Sequence, residues 1–422
     1  MMRVSVALWG AALFYFSLGT SWAENWPSWR GPAGTGVAGE GPFPVRWSQD
    51  MHIAWKQPIP GKGTSTPTVW DGRVFLTGQE KGQNLAVCLD LRGRALWTTA
   101  IGEHRPGKHR KASGSNPSSV VDGEYVFVYF KSGDLACLDL DGKILWQKNV
   151  QEMFGKDTLW WDLGTSPVLT RELVVIACIQ SDDSYVVAFQ KDSGILAWKR
   201  ARNLGAPLEA AQSYATPIVA TRSDREQLFI LGADHVTAHS AVDGAEIWRV
   251  GGLNPKGEKY FRSISSPVLA GDLLLAPYAR GTTMTAIRLG GQGDVTTSHV
   301  AWTRQGIAAD VPTPVFFEGR AYVLKDRGAV ACIETKTGKT LWSGEVEKSR
   351  QGFSSSPILA GRHLYITRED GKTFVLRQGD EFKLVASNAL GESTFATPVF
   401  VNGQILIRTQ EHLYCIGTAQ TR

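Results

Sequence analysis

Three short stretches hold residue types that can bind or transform a ligand. The first is GEHRPGKHRKASG, residues 102–114. Arg105, Lys108, Arg110 and Lys111 stand there against Glu103, so four cations and one acid leave +3, with His104 and His109 among them. Guanidinium and ammonium groups in such density suit a carboxylate or phosphate, which places an anion site at His109, Arg110 and Lys111. A solvated basic loop has the same composition. The second stretch is DTLWWDLGTSP, residues 157–167. Trp160 and Trp161 beside Asp162 can stack a planar or sugar ligand, or pack as a hydrophobic plug. The third is a dispersed set: Glu209, Gln212, Tyr214, Tyr260, Arg262 and Asp310. Each lies a few residues ahead of a recurring Ser/Thr-Pro phrase, so the fold decides whether they converge.

Other chemistry is weakly represented. The chain has no HExxH, no GxSxG, and no complete P-loop, since Gly61-Lys62-Gly63-Thr64 lacks the upstream glycine. Asp182 and Asp183 are neighbours, and adjacent strand residues face opposite sides. His235 and His239 have no metal-ligand grouping around them. Catalytic and metal-ligating residues are therefore not assigned. The five cysteines, an odd number, include no CxxC and no adjacent pair. Four stand in matching phrases, AVCLD, LACLD, VACIE and LYCIG, and read as small buried apolar residues. The formal charge of +5 over 422 residues is modest and argues against a nucleic-acid partner.

The elements that must position these residues repeat. Ser/Thr/Asn-Pro recurs at Pro67, Pro117, Pro167, Pro217, Pro267, Pro314, Pro357 and Pro398, at intervals of 50, 50, 50, 50, 47, 43 and 41 residues. Each phrase leads into short alternating apolar runs separated by Asp-Gly-like turns, so the runs are strands. The last run of a unit usually holds a tryptophan: Trp97, Trp146, Trp198, Trp248, Trp302 or Trp342. Glycine precedes five of these by four residues, at Gly93, Gly142, Gly194, Gly244 and Gly338. Four strands per unit, repeated eight times, predict an all-β, eight-bladed β-propeller of four-stranded antiparallel blades. Proline then opens the innermost strand, a channel-lining edge where a missing donor is tolerated. The tryptophans are expected between blades. The eighth unit lacks a fourth strand, and HIAWKQPI, with Trp55, is expected to complete it and close the ring. The seventh unit lacks its tryptophan, and Val385 or Leu384 is expected in that place.

Residues 1–23 read as a signal peptide. Arg3 precedes an apolar run from Val4 to Phe16, and Ser21 and Ala23 fit a small-x-small cleavage site. Residues 24–49 then form an extended strap, 50–417 a single propeller and 418–422 a tail. The mature chain is expected to be exported, periplasmic or secreted, and monomeric, with no transmembrane span left after cleavage.

The phrases ACLDLDGKILW, VACIETKTGKTLW and VAFQKDSGILAW resemble the PQQ-like, quinoprotein-type eight-bladed propeller family, which includes BamB-like envelope propellers. The likeness covers roughly residues 50–416, and the start ENWPSWRGPAGTG also resembles secreted propellers of this type. The family holds quinone-dependent dehydrogenases and non-catalytic scaffolds, so it implies fold more than function. One implied function is a binding scaffold holding an envelope protein, a glycan or a small anion at the channel mouth. The alternative is a PQQ-dependent oxidoreductase, with the quinone at the basic loop and Trp160 or Trp161 beneath it. Such dehydrogenases cap the quinone with a vicinal disulfide over a calcium site, and this chain has no adjacent cysteines.

Overall fold

The computed structural model describes residues 24–222 and 224–418. The predicted signal peptide and most of the predicted tail lie outside the described residues. Eight antiparallel sheets follow one another along the chain. Blade 1 is Thr68–Trp70, Arg73–Glu80, Gln83–Asp90 and Ala95–Glu103, innermost strand first. Blade 8 joins Val399–Val401, Gln404–Arg408 and His412–Ile416 to the N-terminal strand Ile53–Pro58, which pairs outside His412–Ile416. Blade 4 carries a short fifth strand, Gly293–Asp294, parallel to the strand of Trp248. It comes from an insertion within blade 5 that the repeat pattern did not reveal.

Adjacent blades are joined in two ways. At the rim, the outer-strand tryptophans lie against the next blade, and for all of them except Trp248 the indole N–H reaches a backbone carbonyl there. Trp97 donates to Leu140 (2.9 Å), Trp146 to Lys191 (2.8 Å), Trp342 to Gly379 (2.9 Å) and Trp55 to Leu91 (2.8 Å). Under Trp55, Trp97, Trp146, Trp198 and Trp302 sits the turn glycine of the next blade. Gly194 has φ +65°, and a Cβ there would stand 2.6 Å from the Trp146 ring, so glycine is needed for backbone and space together. Opposite the tryptophan, on the third strand, stands a small residue: Cys88 faces Trp97, Cys137 Trp146, Cys332 Trp342 and Cys415 Trp55. These four thiols are buried and unbridged.

Blade 7 corrects one expectation. Ala386, not Val385 or Leu384, occupies the tryptophan register, opposite Val375. The missing bulk comes from elsewhere in the chain. Trp47 is buried in the same apolar cluster, stacked on Tyr365 with ring centroids 6.5 Å apart.

At the axis, the residue ahead of each inner strand donates its backbone N–H to the side-chain hydroxyl of its counterpart in the next blade. The series runs Thr66 to Ser118 (2.9 Å), Ser118 to Ser166 (3.0 Å), Ser166 to Thr216 (3.1 Å) and Thr216 to Ser266 (2.9 Å). It continues Ser266 to Thr313 (2.9 Å), Thr313 to Ser356 (2.9 Å), Ser356 to Thr397 (3.1 Å) and Thr397 back to Thr66 (3.1 Å). This is why Ser or Thr precedes the proline. In blade 2 the pairing selects Ser118, so Ser119 holds the place that proline takes elsewhere. Pro117 is therefore offset from the other seven prolines, and the even spacing of 50 through it is a coincidence of the motif.

Residues 24–38 run along one end of the channel. Trp26 pairs with Val69 of blade 1, while Gly36 and Ala38 pair with Leu359 of blade 7. Arg30 is buried and donates to the carbonyls of Pro314 (2.8 Å) and Pro357 (3.0 Å). Its neighbour Trp29 points to the axis, with its indole N–H on the Thr397 hydroxyl (3.3 Å).

Blade 8 is clamped by one carboxylate. Glu392 accepts from Lys56 of the N-terminal strand (2.7 Å), and from Thr409 (2.6 Å), His412 (3.0 Å) and Tyr414 (2.7 Å) of the C-terminal segment. Burial pushes the Glu392 carboxyl up, but these four donors outweigh it and hold it at about 2. A carboxylate depressed in the folded state stabilises above its unfolded value, and that contribution fades as pH falls towards the folded value. The urea-unfolding stability gap between parent and Glu392→Gln should therefore narrow as pH drops from about 4.5 towards about 2. A gap independent of pH over that range contradicts the clamp.

The inter-blade contact makes a second prediction. Trp146→Ala should cost about 3–5 kcal/mol in urea unfolding, as expected for a large aromatic removed from a packed interface. A loss under ~1 kcal/mol would mean that the tryptophans do not fasten the blades.

Candidate functional site

The links from each outer strand to the next inner strand gather on the face opposite residues 24–38. They surround a cavity of about 420 Å³. His109, Lys111, Trp161, Asp162, Tyr214 and Arg262 line it, so six of the residues singled out in the sequence converge. Arg110, Trp160, Gln212, Tyr260 and Asp310 stand outside the lining, as does Glu209. Arg110 is exposed. Gln212 is buried and works from behind: its amide oxygen accepts from the Trp160 N–H (2.9 Å) and from the Tyr214 hydroxyl (2.8 Å).

Asp162 organises the basic loop. Its carboxylate accepts from the backbone N–H groups of Lys108 (2.8 Å) and His109 (2.9 Å), and from the ammonium of Lys131. Burial raises its pKa, and these donors reverse that and hold it below the usual range. The loop's cations other than the exposed Arg110 are also engaged. Arg105 donates to Gln151 (2.8 Å), and the Lys108 ammonium to the Leu159 carbonyl (3.0 Å). Lys111 pairs with buried Glu369 at 2.6 Å. Glu369 belongs to blade 7 and Lys111 to the link between blades 1 and 2, so the loop spans the mouth. His109 meets the Trp161 ring edge-on, centroids 5.7 Å apart.

The dispersed set forms one network. Glu209 accepts from the Trp161 indole (2.8 Å) and Arg280 (3.0 Å), and lies 3.4 Å from Arg262 Nε. Arg262 grips Asp310 with two parallel bonds of 3.0 Å. Burial raises the Asp310 pKa and outweighs the attraction of Arg262. Burial likewise raises the Tyr214 phenol. Asp326 then accepts the N–H groups of Asp310 and Val311, both at 3.0 Å.

Lys131, Asp326 and Glu369 were not singled out in the sequence, yet a signal for them exists. Each stands four residues past the second-strand residue that faces the start of the inner strand: Phe127, Tyr322 and Tyr365. The same place holds Ile179, Ala233 and Ala279 in blades 3, 4 and 5. A charge where sister blades carry an apolar residue marks a mouth contact. Trp29 was also missed, because it comes from outside the repeats.

Among the described residues no three His, Cys, Asp or Glu side chains are grouped as a metal site requires. None of the described helices is long and apolar enough to cross a membrane.

The family model described as outer membrane protein assembly factor BamB matches residues 45–201, 84–249 and 178–380 in overlapping repeats. This chain belongs to the BamB family. It is 25% identical to the outer membrane protein assembly factor BamB of Burkholderia pseudomallei over 377 residues, 86% of each chain. The crystal structure of BamB from Moraxella catarrhalis superposes with a TM-score of 0.60 at 14% identity, covering 86% of this chain and 99% of that one. Quinohemoprotein alcohol dehydrogenase from Comamonas testosteroni gives 0.68 at 12% identity, covering 94% and 81%. At such identities these two structural likenesses establish the fold alone.

In this BamB-family chain the mouth loop is held from two sides, by Asp162 and by Glu369. Glu369→Gln or Lys111→Ala should free the far side only. Limited proteolysis within residues 104–111 should then quicken several-fold while thermal unfolding shifts by less than ~2 °C, as for a local opening. Unchanged cleavage in both variants would show that the Lys111–Glu369 pair does not hold the loop.

Proposed function

We propose that this chain is an exported, non-catalytic binding scaffold of the cell envelope, and that a polypeptide partner engages the mouth around Trp160 and Tyr260. The observation that carries this is an exposed aromatic face on a rigid support. Trp160 and Trp161 are each 45% exposed, Leu208 50% and Tyr260 54%. Trp160 and Tyr260 lie with ring centroids 6.4 Å apart. Their surroundings are fixed rather than loose: Gln212 holds the Trp160 backbone, Glu209 the Trp161 indole, and Arg280 the Tyr260 carbonyl (2.7 Å). Clustered exposed aromatics on a fixed base are what partner surfaces present, with little ordering entropy left to lose. The relatives' own description as outer membrane protein assembly factors supports an envelope partner. The N-terminal apolar segment supports export.

Quinone-dependent oxidation is the second reading, favoured by the fold shared with the alcohol dehydrogenases. The residues present do not fit it well. A tricarboxylate quinone needs free cations, and Lys111 and Arg262 at the cavity are already bound to Glu369 and Asp310.

The test is capture from envelope extract by the purified exported chain, compared with Trp160→Ala/Tyr260→Ala. The parent should retain a defined envelope protein, and the double variant should lose it by at least tenfold, as expected when two anchor aromatics are truncated. Equal capture by both would reject the aromatic face. Added quinone and calcium giving a shifted absorbance and alcohol-dependent dye reduction would reject the scaffold reading.

A further inference from the structure

The cavity beneath the aromatic face has a different chemistry from the face itself. We infer that it is a binding site for an uncharged saccharide unit. Three features select this ligand class.

The first is the wall. Seven of the eight axial hydroxyls line the cavity, all but Thr313. Each of these oxygens accepts its neighbour's backbone N–H, as the axial series shows. None donates its proton to an acceptor among the described residues. A hydroxyl carries one proton and two acceptor sites, so each still has a donor to offer. The cavity is therefore lined by seven hydroxyls whose protons have no acceptor among the described residues. They suit a ligand bearing many oxygen acceptors around its perimeter.

The second is the charge balance. Every charged side chain lining the cavity with an assigned partner is neutralised locally. Lys111 pairs with Glu369, Asp162 with Lys131, and Arg262 with Asp310 and Glu209. A charged ligand gains only by breaking one of these pairs, which leaves the other half buried and unpaired. A neutral polyol breaks none.

The third is aromatic surface within a suitable volume. Trp29 from the N-terminal segment stands between this cavity and a second one of about 450 Å³ at the other end of the channel. Its indole gives a floor, and Trp161 and Tyr214 add aromatic wall. Aromatic faces receive the C–H face of a pyranose, while the ring hydroxyls meet its edge. The volume of about 420 Å³ falls within the range of small-molecule sites.

This inference stands apart from the polypeptide proposed for the outer face, since neither Trp160 nor Tyr260 lines the cavity. It is tested by calorimetry and tryptophan fluorescence on the purified mature chain. The ligands are neutral oligosaccharides built on glucose, galactose, mannose and N-acetylglucosamine, with acetate, phosphate and citrate as charged comparators. The same sugars at the ends of an immobilised polymer form a second arm, which separates a glycan chain from a free sugar. One saccharide class should bind saturably at one site, with an affinity unchanged between about 50 mM and 500 mM salt. Ser118→Ala and Ser356→Ala should each weaken it about three- to tenfold, the worth of one hydrogen bond. Thr313→Val removes the same kind of axial bond yet lines only the other cavity, so its affinity should stay within about twofold of the parent. Trp29→Leu leaves all eight axial hydroxyls in place and should weaken binding by removing the floor. The inference is overturned if no saccharide in the panel binds, if the anions bind in their stead, or if Thr313→Val weakens binding as much as Ser118→Ala.

Discussion

A propeller has a weak point at its axis. The innermost strand of every blade is an edge, and its first backbone N–H faces a channel rather than another strand. Eight such donors cannot be left buried and unpaired, since each would cost about 1–3 kcal/mol. Here the side-chain hydroxyl of the next blade meets each of them, and the series returns from Thr397 to Thr66. The proline that usually follows has no N–H to satisfy. One residue pair, Ser/Thr-Pro, thus solves the edge problem and sets the distance between blades. The rim tryptophans then bury the sheet faces against one another. Axis and rim together give a support stiff enough for long links to hold fixed positions.

The links depend on that stiffness, and carboxylates tie them to it. Asp162, Glu209, Asp310, Asp326 and Glu369 each accept from a different blade or link. The mouth therefore has little charge to spare, although the loop at residues 102–114 is rich in cations. Composition overstated its freedom because the partners lie far away in sequence: Lys111 and Glu369 are 258 residues apart. An outer aromatic face around Trp160 and Tyr260 and an inner hydroxyl-lined cavity result, meeting at Trp161 on the same support.

Much of this was legible in the chain itself. The repeat of Ser/Thr-Pro, turn glycine and tryptophan is dictated by steric needs that recur in every blade, so blade number and strand order could be read directly. Where one blade met the same need differently, the reading failed. Blade 2 places Ser119 where others have proline, and blade 7 has Ala386 because Trp47 comes from outside the repeats to fill the space. At the site, convergence was legible for the residues that precede inner strands, because the fold fixes where those strands begin. The roles of Gln212 as a support and Asp162 as a loop organiser were not, because both are set by side-chain partners from other blades. Glu369 and Lys131 became recognisable only once the blades were aligned by strand pairing.

Amide hydrogen exchange at the eight axial residues tests the central claim most directly, because it reads the bonds themselves. The account predicts that the N–H groups of Thr66, Ser118, Ser166, Thr216, Ser266, Thr313, Ser356 and Thr397 exchange as slowly as the second and third strands of their blades. Exchange at the rate of the exposed hairpins, for most of the eight, would contradict it.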